Sequence, residues 1–201
     1  ILYNLYNLFC VTMYINIPKE NEIIEINEFL SNNYCDKIIN ETIPKLQEST
    51  TITRNEKNEE NKTDKQRISK TAFINNEPYV TKIKENVCKI ANCKPGQLDI
   101  QFLEYDQNGF YSYHNDDYDY SLNKRMYTII VYLNNVRKGG ETHFSVLDKK
   151  FTPQKGKALF WKNILDTDPN KINNNMLHSG MKVESGQKYA LNIWIYQKDK
   201  Y

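Results

Sequence analysis

The sequence predicts an α+β domain, a double-stranded β-helix (jelly roll) with N-terminal helices packed on its larger sheet. Three observations carry this. Helical periodicity is confined to the first half of the chain, and about eight short strand patterns follow it with no internal repeat. Helices and strands segregated in this way indicate an α+β arrangement, and eight antiparallel strands commonly close as a two-sheet roll around a polar pocket. The last strand also has two unlike faces. Tyr189, Leu191, Ile193 and Ile195 form an apolar face that suits a helix layer, and Lys188, Ala190, Asn192, Trp194 and Tyr196 form a mixed face that suits a pocket.

Residues 1–21 read as an N-terminal extension and residues 22–201 as the domain. The opening stretch is apolar and aromatic, but Asn4, Asn7 and Asn16 interrupt it before it reaches the length of a spanning helix. Met13 suits a native start, and a preceding signal or anchor stays open. Glu22 to Ile26 predicts a strand, and Ser31 an N-cap for a helix over residues 32–47. Residues 49–66 carry almost no large apolar side chain and predict a loop. Pro78 opens a second helix, with Val80, Ile83, Val87 and Ile90 at helical spacing. From Gln97 the period changes: Leu98, Ile100 and Phe102 alternate with Asp99 and Gln101. Met126 to Leu133, Lys157 to Trp161 and Tyr189 to Tyr196 are further β-branched or aromatic runs.

At 201 residues the chain can bury a core without metal or disulfide staples. A net charge of +2 gives no basic footprint for nucleic acid or for an anionic membrane surface. Lysine outnumbers arginine 23 to 4, with 26 asparagines and 21 isoleucines, the bias of an AT-rich genome, so single Lys, Asn or Ile residues carry little information. Histidine occurs three times, and its placement tells more. Cys10, Cys35, Cys88 and Cys93 form no C-x-x-C pair, and read as buried free thiols.

His114-Asn115-Asp116 is the motif with chemistry. Residues two apart on a strand share a face, so His114 and Asp116 can bind one ion, with His178 delivered by folding. Two histidines and one carboxylate make the facial triad of non-haem Fe(II) oxygenases. His143 alternates away from Thr142 and reads as structural or exposed.

Further motifs follow in one order: QFLEY (101–105), GFYSYHND (109–116), RMYT (125–128), YLN (132–134), GGET (139–142), PQKG (153–156), LHSG (177–180) and GQK (186–188). With RISK (67–70) and FLSNNYCD (29–36) upstream, residues 22–197 resemble the catalytic domain of prolyl 4-hydroxylases, within the Fe(II)/2-oxoglutarate dioxygenases. The resemblance implies that His114, Asp116 and His178 bind iron. It implies that Lys188 pairs with the distal carboxylate of 2-oxoglutarate, that Tyr105 and Thr142 line the same pocket, and that Arg125 and Trp194 lie near a peptide substrate. Gly139-Gly140 would serve a tight turn. Tyr196 stands where close relatives often carry histidine, which bears on peptide preference and not on the iron chemistry. The cofactors implied are Fe(II), 2-oxoglutarate, O2 and ascorbate, with succinate and CO2 as by-products.

The expected substrate is a proline-rich peptide. Tyr111, Tyr113, Tyr118, Tyr120 and Tyr127 crowd the ligand segment, and aromatic grooves suit polyproline II chains. The loop from Asp117 to Lys124 suits a lid. A lysyl hydroxylase, with Asp117 or Asp119 reading the ammonium, a hydroxylase of the same class acting on a free amino acid or another small or peptide substrate, and a non-catalytic binding module are the alternatives.

Overall fold

The computed structural model describes residues 16–49, 66–117 and 121–199. Its strands, in chain order, are β1 (Ile23–Ile26), β2 (Gln47–Glu48), β3 (Arg67–Ile68), β4 (Lys70–Phe73), β5 (Leu98–Tyr105), β6 (Phe110–His114) and β7 (Arg125–Tyr132). There follow β8 (Lys138–Gly139), β9 (Thr142–Phe144), β10 (Lys149–Phe151), β11 (Ala158–Lys162), β12 (His178–Gly180), β13 (Val183–Ser185) and β14 (Lys188–Tyr196). Helices α1 (Asn32–Thr42) and α2 (Thr81–Ala91) precede β5. The strands form a large sheet in the order β1-β11-β7-β14-β5-β4-β2, a smaller one in the order β10-β9-β12-β6-β3, and a β13-β8 ribbon. Every pairing between these strands is antiparallel.

The two faces of β14 organise the layers. Leu191, Ile193 and Ile195 join Leu98, Ile100 and Phe102 of β5 and Ile129 and Val131 of β7 under Ile38 of α1 and Ile83 and Val87 of α2. Each such buried aliphatic side chain stabilises the fold by about 1.5–3 kcal/mol, so the helices are held by their apolar stripes rather than by intrinsic propensity. On the other face Ile130, Tyr132, Leu159, Trp161 and Ala190 meet Phe144 and Met176, a second core between the large and small sheets.

Local chemistry accounts for the departures from expectation. Helix α1 stops at Thr42, and a 3-10 turn over Ile43–Lys45 replaces the expected last turn, because Pro44 has no N–H to continue the α-helical ladder. Ser31 stands at the N-cap position, but its side chain makes no capping bond. Pro78 opens a 3-10 turn, Pro78–Val80, and α2 proper begins at Thr81. Ala91 takes the core position at the end of α2, while Ile90 packs at the margin. After α2 the described residues hold ten strands, β5 to β14, where about eight are expected, and β2, β3 and β4 before α2 are not anticipated; the strands missed span two to four residues, too short for alternation to show. Cys35 is buried as expected, whereas Cys88 and Cys93 are only half-buried. Cys10, most of the expected 49–66 loop, Tyr118, Asp119 and Tyr120 lie outside the described residues. Among the described residues no helix is long and apolar enough to cross a membrane.

Gly156 fixes the entry to α1. Its φ is +82°, its carbonyl accepts the Leu30 N–H at 3.1 Å, and a Cβ added there would lie 2.3 Å from the Leu30 carbonyl oxygen. Gly156→Ala is therefore expected to lower unfolding free energy by at least about 1–3 kcal/mol, read from the midpoint of urea denaturation at unchanged slope.

Candidate metal centre

Strand β6 ends at His114 and β12 begins at His178, and the two histidines face each other directly across the β6–β12 pairing. Their ring centroids lie 4.4 Å apart. Asp116 completes the group: one carboxylate oxygen is 3.7 Å from His114 Nε2, and the other is 3.8 Å from His178 Nε2. Asp116 lies past the end of β6, so strand alternation alone does not aim it. Hydrogen bonds do. The Thr128 hydroxyl donates to Asp116 Oδ2 at 2.6 Å, Asn163 donates to Thr128 Oγ1 at 2.9 Å, and Arg125 donates to the Asp116 carbonyl at 2.8 Å.

Each imidazole is fixed from behind. Nδ1 of His114 lies 2.8 Å from the Ser112 carbonyl, and Nδ1 of His178 lies 2.8 Å from the Met176 carbonyl. A carbonyl can only accept, so Nδ1 carries a proton in each, and each Nε2 faces Asp116. Tyr111 stacks on His114 at 3.6 Å, and Phe144 and Trp161 flank His178 at 5.3 and 5.0 Å. Burial, then the neighbouring His178, holds His114 far below the usual imidazole range, so it is neutral at pH 7. Burial opposes ionisation of Asp116, but the positive charge that a protonated imidazole places beside it, the Thr128 bond and Arg125 outweigh it and keep the carboxyl below its ordinary value.

The donor set fits a divalent cation. Three ligand atoms lie within 4.8 Å of one another, two of them imidazole nitrogens and one a carboxylate oxygen. Lone pairs converging in a buried place repel unless a cation sits among them, and this N2O set with free positions on the metal suits Fe(II).

Lys188 lies along the large sheet, opposite Tyr105 in the β14–β5 register. It is 2% exposed, its ammonium donates to the Gly140 carbonyl at 2.7 Å, and it sits about 5.4 and 5.5 Å from the Tyr105 and Tyr132 rings. No salt bridge holds it among the described residues, and burial lowers its pKa from 10.5 to about 8, with Glu141 partly opposing. Thr142 is buried and accepts the hydroxyl of Tyr132, the tyrosine whose ring lies 5.5 Å from the Lys188 ammonium, at 2.7 Å. Gly139 and Gly140 both have positive φ, and a Cβ on Gly139 would lie 2.3 Å from the Lys182 carbonyl oxygen, so in place of the expected tight turn this pair serves close pairing of β8 with β13.

Arg125 lies with its guanidinium 4.1 Å over the Trp194 ring and donates to the Tyr196 hydroxyl at 2.9 Å. Phe73, 58% exposed, extends this aromatic surface 6.5 Å from Trp194. The expected tyrosine cluster is only partly present. Tyr111 faces the histidines, but Tyr127 packs on Phe160 in the helix-side core, and Tyr113 turns outward to bond His143 Nδ1 at 2.6 Å. Tyr111 and Tyr113, two apart on β6, would share a face under strict alternation; the bulge that shifts the β6–β12 register between Gly180↔Tyr111 and His178↔His114 separates them, and Tyr127 lies on another strand. His143 stays outside the metal cluster.

Sequence reading missed Thr128 and Asn163, which orient Asp116, and gave no role to Arg67. Arg67 lies over the Tyr111 ring at 4.8 Å, and its Nη2 is buried with no hydrogen-bond partner among the described residues. A threonine on a strand and an arginine on a two-residue strand carry no signal; only the RMYT motif brought Thr128 near notice.

A sequence profile described as the 2OG-Fe(II) oxygenase superfamily matches residues 100–196. A prolyl 4-hydroxylase homologue of Acanthamoeba polyphaga mimivirus is 30% identical over 189 residues, covering 89% of this chain and 75% of that protein. Prolyl 4-hydroxylase 1 of Arabidopsis thaliana is 29% identical over 203 residues, covering 88% and 69%. Among solved structures, the viral collagen prolyl hydroxylase of Paramecium Bursaria Chlorella virus-1, in its 2OG complex, matches with a TM-score of 0.68 at 26% identity. That match covers 87% of this chain and 95% of the other.

Two outcomes follow from the geometry. Thr128→Val should loosen Asp116 and weaken Fe(II) affinity by about 10–100-fold in an anaerobic titration, with little change in fold. Lys188 carries an unbalanced buried charge: its folded pKa of about 8 lies below 10.5, so the cost is full below pH 8 and fades as pH rises to 10.5. Lys188→Met should therefore raise the ligand-free melting temperature at pH 7 while lowering 2-oxoglutarate affinity by about ten- to hundredfold, both read by calorimetry.

Proposed function

The chain belongs to the prolyl 4-hydroxylase family of 2OG-Fe(II) oxygenases, and from that premise we propose that it converts proline within a peptide to 4-hydroxyproline, releasing succinate and CO2. It is a 2-oxoglutarate-dependent dioxygenase, using Fe(II), 2-oxoglutarate and O2. The facing sheets are read as a double-stranded β-helix and residues 22–201 as the domain, with residues 1–21 an extension. One observation carries the substrate reading. A complete His–Asp–His donor set stands over the same sheet face that presents Lys188 at one end of β14 and Trp194, capped by Arg125, at the other.

His114, Asp116 and His178 would hold the iron through Nε2, one carboxylate oxygen and Nε2. When bound, the iron supplies the oxidative chemistry that couples decarboxylation of 2-oxoglutarate to insertion of oxygen into a C–H bond. The protein's share is position and charge. Lys188 offers a desolvated ammonium to the distal carboxylate, and Tyr105 and Thr142 offer hydroxyls beside it. Phe144, Trp161 and Met176 keep water from the back of His178. Arg125, Trp194 and Tyr196 form a rigid aromatic floor on which an already extended polyproline II segment loses little entropy. Ascorbate would restore the enzyme after turnovers without substrate, as is usual in this family.

The lysine alternative loses support from Asp117. That carboxylate is 3% exposed and already accepts the Arg125 backbone N–H at 3.1 Å, so it is poorly placed to read an ammonium. The deciding experiment offers the purified enzyme, with Fe(II), 2-oxoglutarate and ascorbate, a proline-rich peptide and a Gly-X-Lys peptide. One added oxygen on proline, abolished in His178→Ala, is the expected result by fragmentation mass spectrometry. Oxygen on lysine alone would overturn the substrate and leave the enzyme class standing.

A further inference from the structure

Cys88 and Cys93 lie apart from the site, and none of the proposed chemistry uses them. Cys88 is in the last turn of α2, and Asn92 follows that helix with a φ of 49°. The N–H groups of Asn92 and Cys93 both donate to the Cys88 carbonyl, the second at 3.1 Å. This is a Schellman-type helix end, which brings the side chains of those two positions together, ordinarily as an apolar contact. Here both positions are cysteine, and the sulfur atoms lie 3.2 Å apart. A disulfide needs about 2.0 Å, a gap that side-chain rotation closes while the folded-back helix end holds the backbone. Both thiols are half-buried, so a small oxidant can reach them.

We propose that Cys88 and Cys93 are a modification site, forming an intramolecular disulfide that ties the end of α2 to the turn leading into β5. The oxidant is a small-molecule disulfide such as oxidised glutathione. The Cys88 thiolate attacks one glutathione sulfur, forms a mixed disulfide and releases the first glutathione thiolate. The Cys93 thiolate then attacks Cys88 Sγ, the new S–S bond forms, and the second glutathione thiolate leaves. Two protein thiols are oxidised, one disulfide is reduced, and both protons pass to the glutathione thiolates. Cys88 attacks first because the Cys93 thiol donates to its sulfur, which favours the Cys88 thiolate and disfavours that of Cys93. Burial raises both thiols, so the exchange is slow, in keeping with a lasting cross-link rather than a rapid sensor.

The chain provides its own assay, because cleavage after Lys84 and Lys89 lets trypsin put each cysteine on a separate peptide, residues 85–89 and 90–124, the bond after Lys94 being protected by Pro95. The native protein is incubated with oxidised glutathione, denatured, alkylated and digested. The expected result is a linked pair of these two peptides, two hydrogens lighter than their sum, with Cys35 alkylated. Prior reduction should return both peptides singly alkylated. Singly alkylated peptides after oxidation, separate glutathione adducts on each, or a link from either cysteine to Cys10 or Cys35 would each overturn the proposal. None of these readouts involves hydroxylation, so the disulfide and the proline reading stand or fall separately.

Discussion

The cross-strand pairing that sets His178 opposite His114 is the constraint on which the site depends. A slip of one residue in an antiparallel pair turns every side chain to the other face, and would trade His178 for Leu177 or Ser179. The small sheet resists this from both sides. Phe144 of β9 flanks His178 in the same register and packs on Trp161 of the large sheet, so the aromatic core between the sheets also fixes the histidine. Metal geometry and core packing are one arrangement here.

Lys188 shows the opposite bargain. A buried ammonium with one carbonyl partner costs stability, and it is tolerated because Tyr105, Tyr132 and Gly140 surround it with aromatic faces and a dipole. On the proposed function, Lys188 waits for an anion in an unfavourable state, and the remainder of the large sheet carries that load. The same strand supplies the compensation, since Leu191, Ile193 and Ile195 bury their side chains completely or nearly so on its other face.

Much of this was legible in the sequence, for reasons that differ by element. The last strand announced both its faces because nine residues of alternation leave little ambiguity. The helix stripes at Ile83 and Val87 were equally plain. His114, Asp116 and His178 stood out because histidine is rare in a lysine- and asparagine-rich chain. Strands of two residues were invisible, having no period to detect. Thr128 and Asn163 were invisible for another reason: their importance lies in a chain of hydrogen bonds that exists only once β7 and β11 are side by side. The tyrosines were misread as a group because crowding in sequence says nothing of which face each side chain takes.

The position of Arg125 has a consequence for retargeting. Its guanidinium holds the backbone of the loop bearing Asp116 with one nitrogen, the Tyr196 hydroxyl with another, and the face of Trp194 with its plane. Any redesign of peptide choice that begins at Arg125 thus disturbs the carboxylate two strand-ends away. Phe73 makes no such link, being exposed at the rim on a different strand. On the proposed peptide reading, selectivity and chemistry are coupled at Arg125 and separable at Phe73, and a library aimed at new peptides belongs on the Phe73 side.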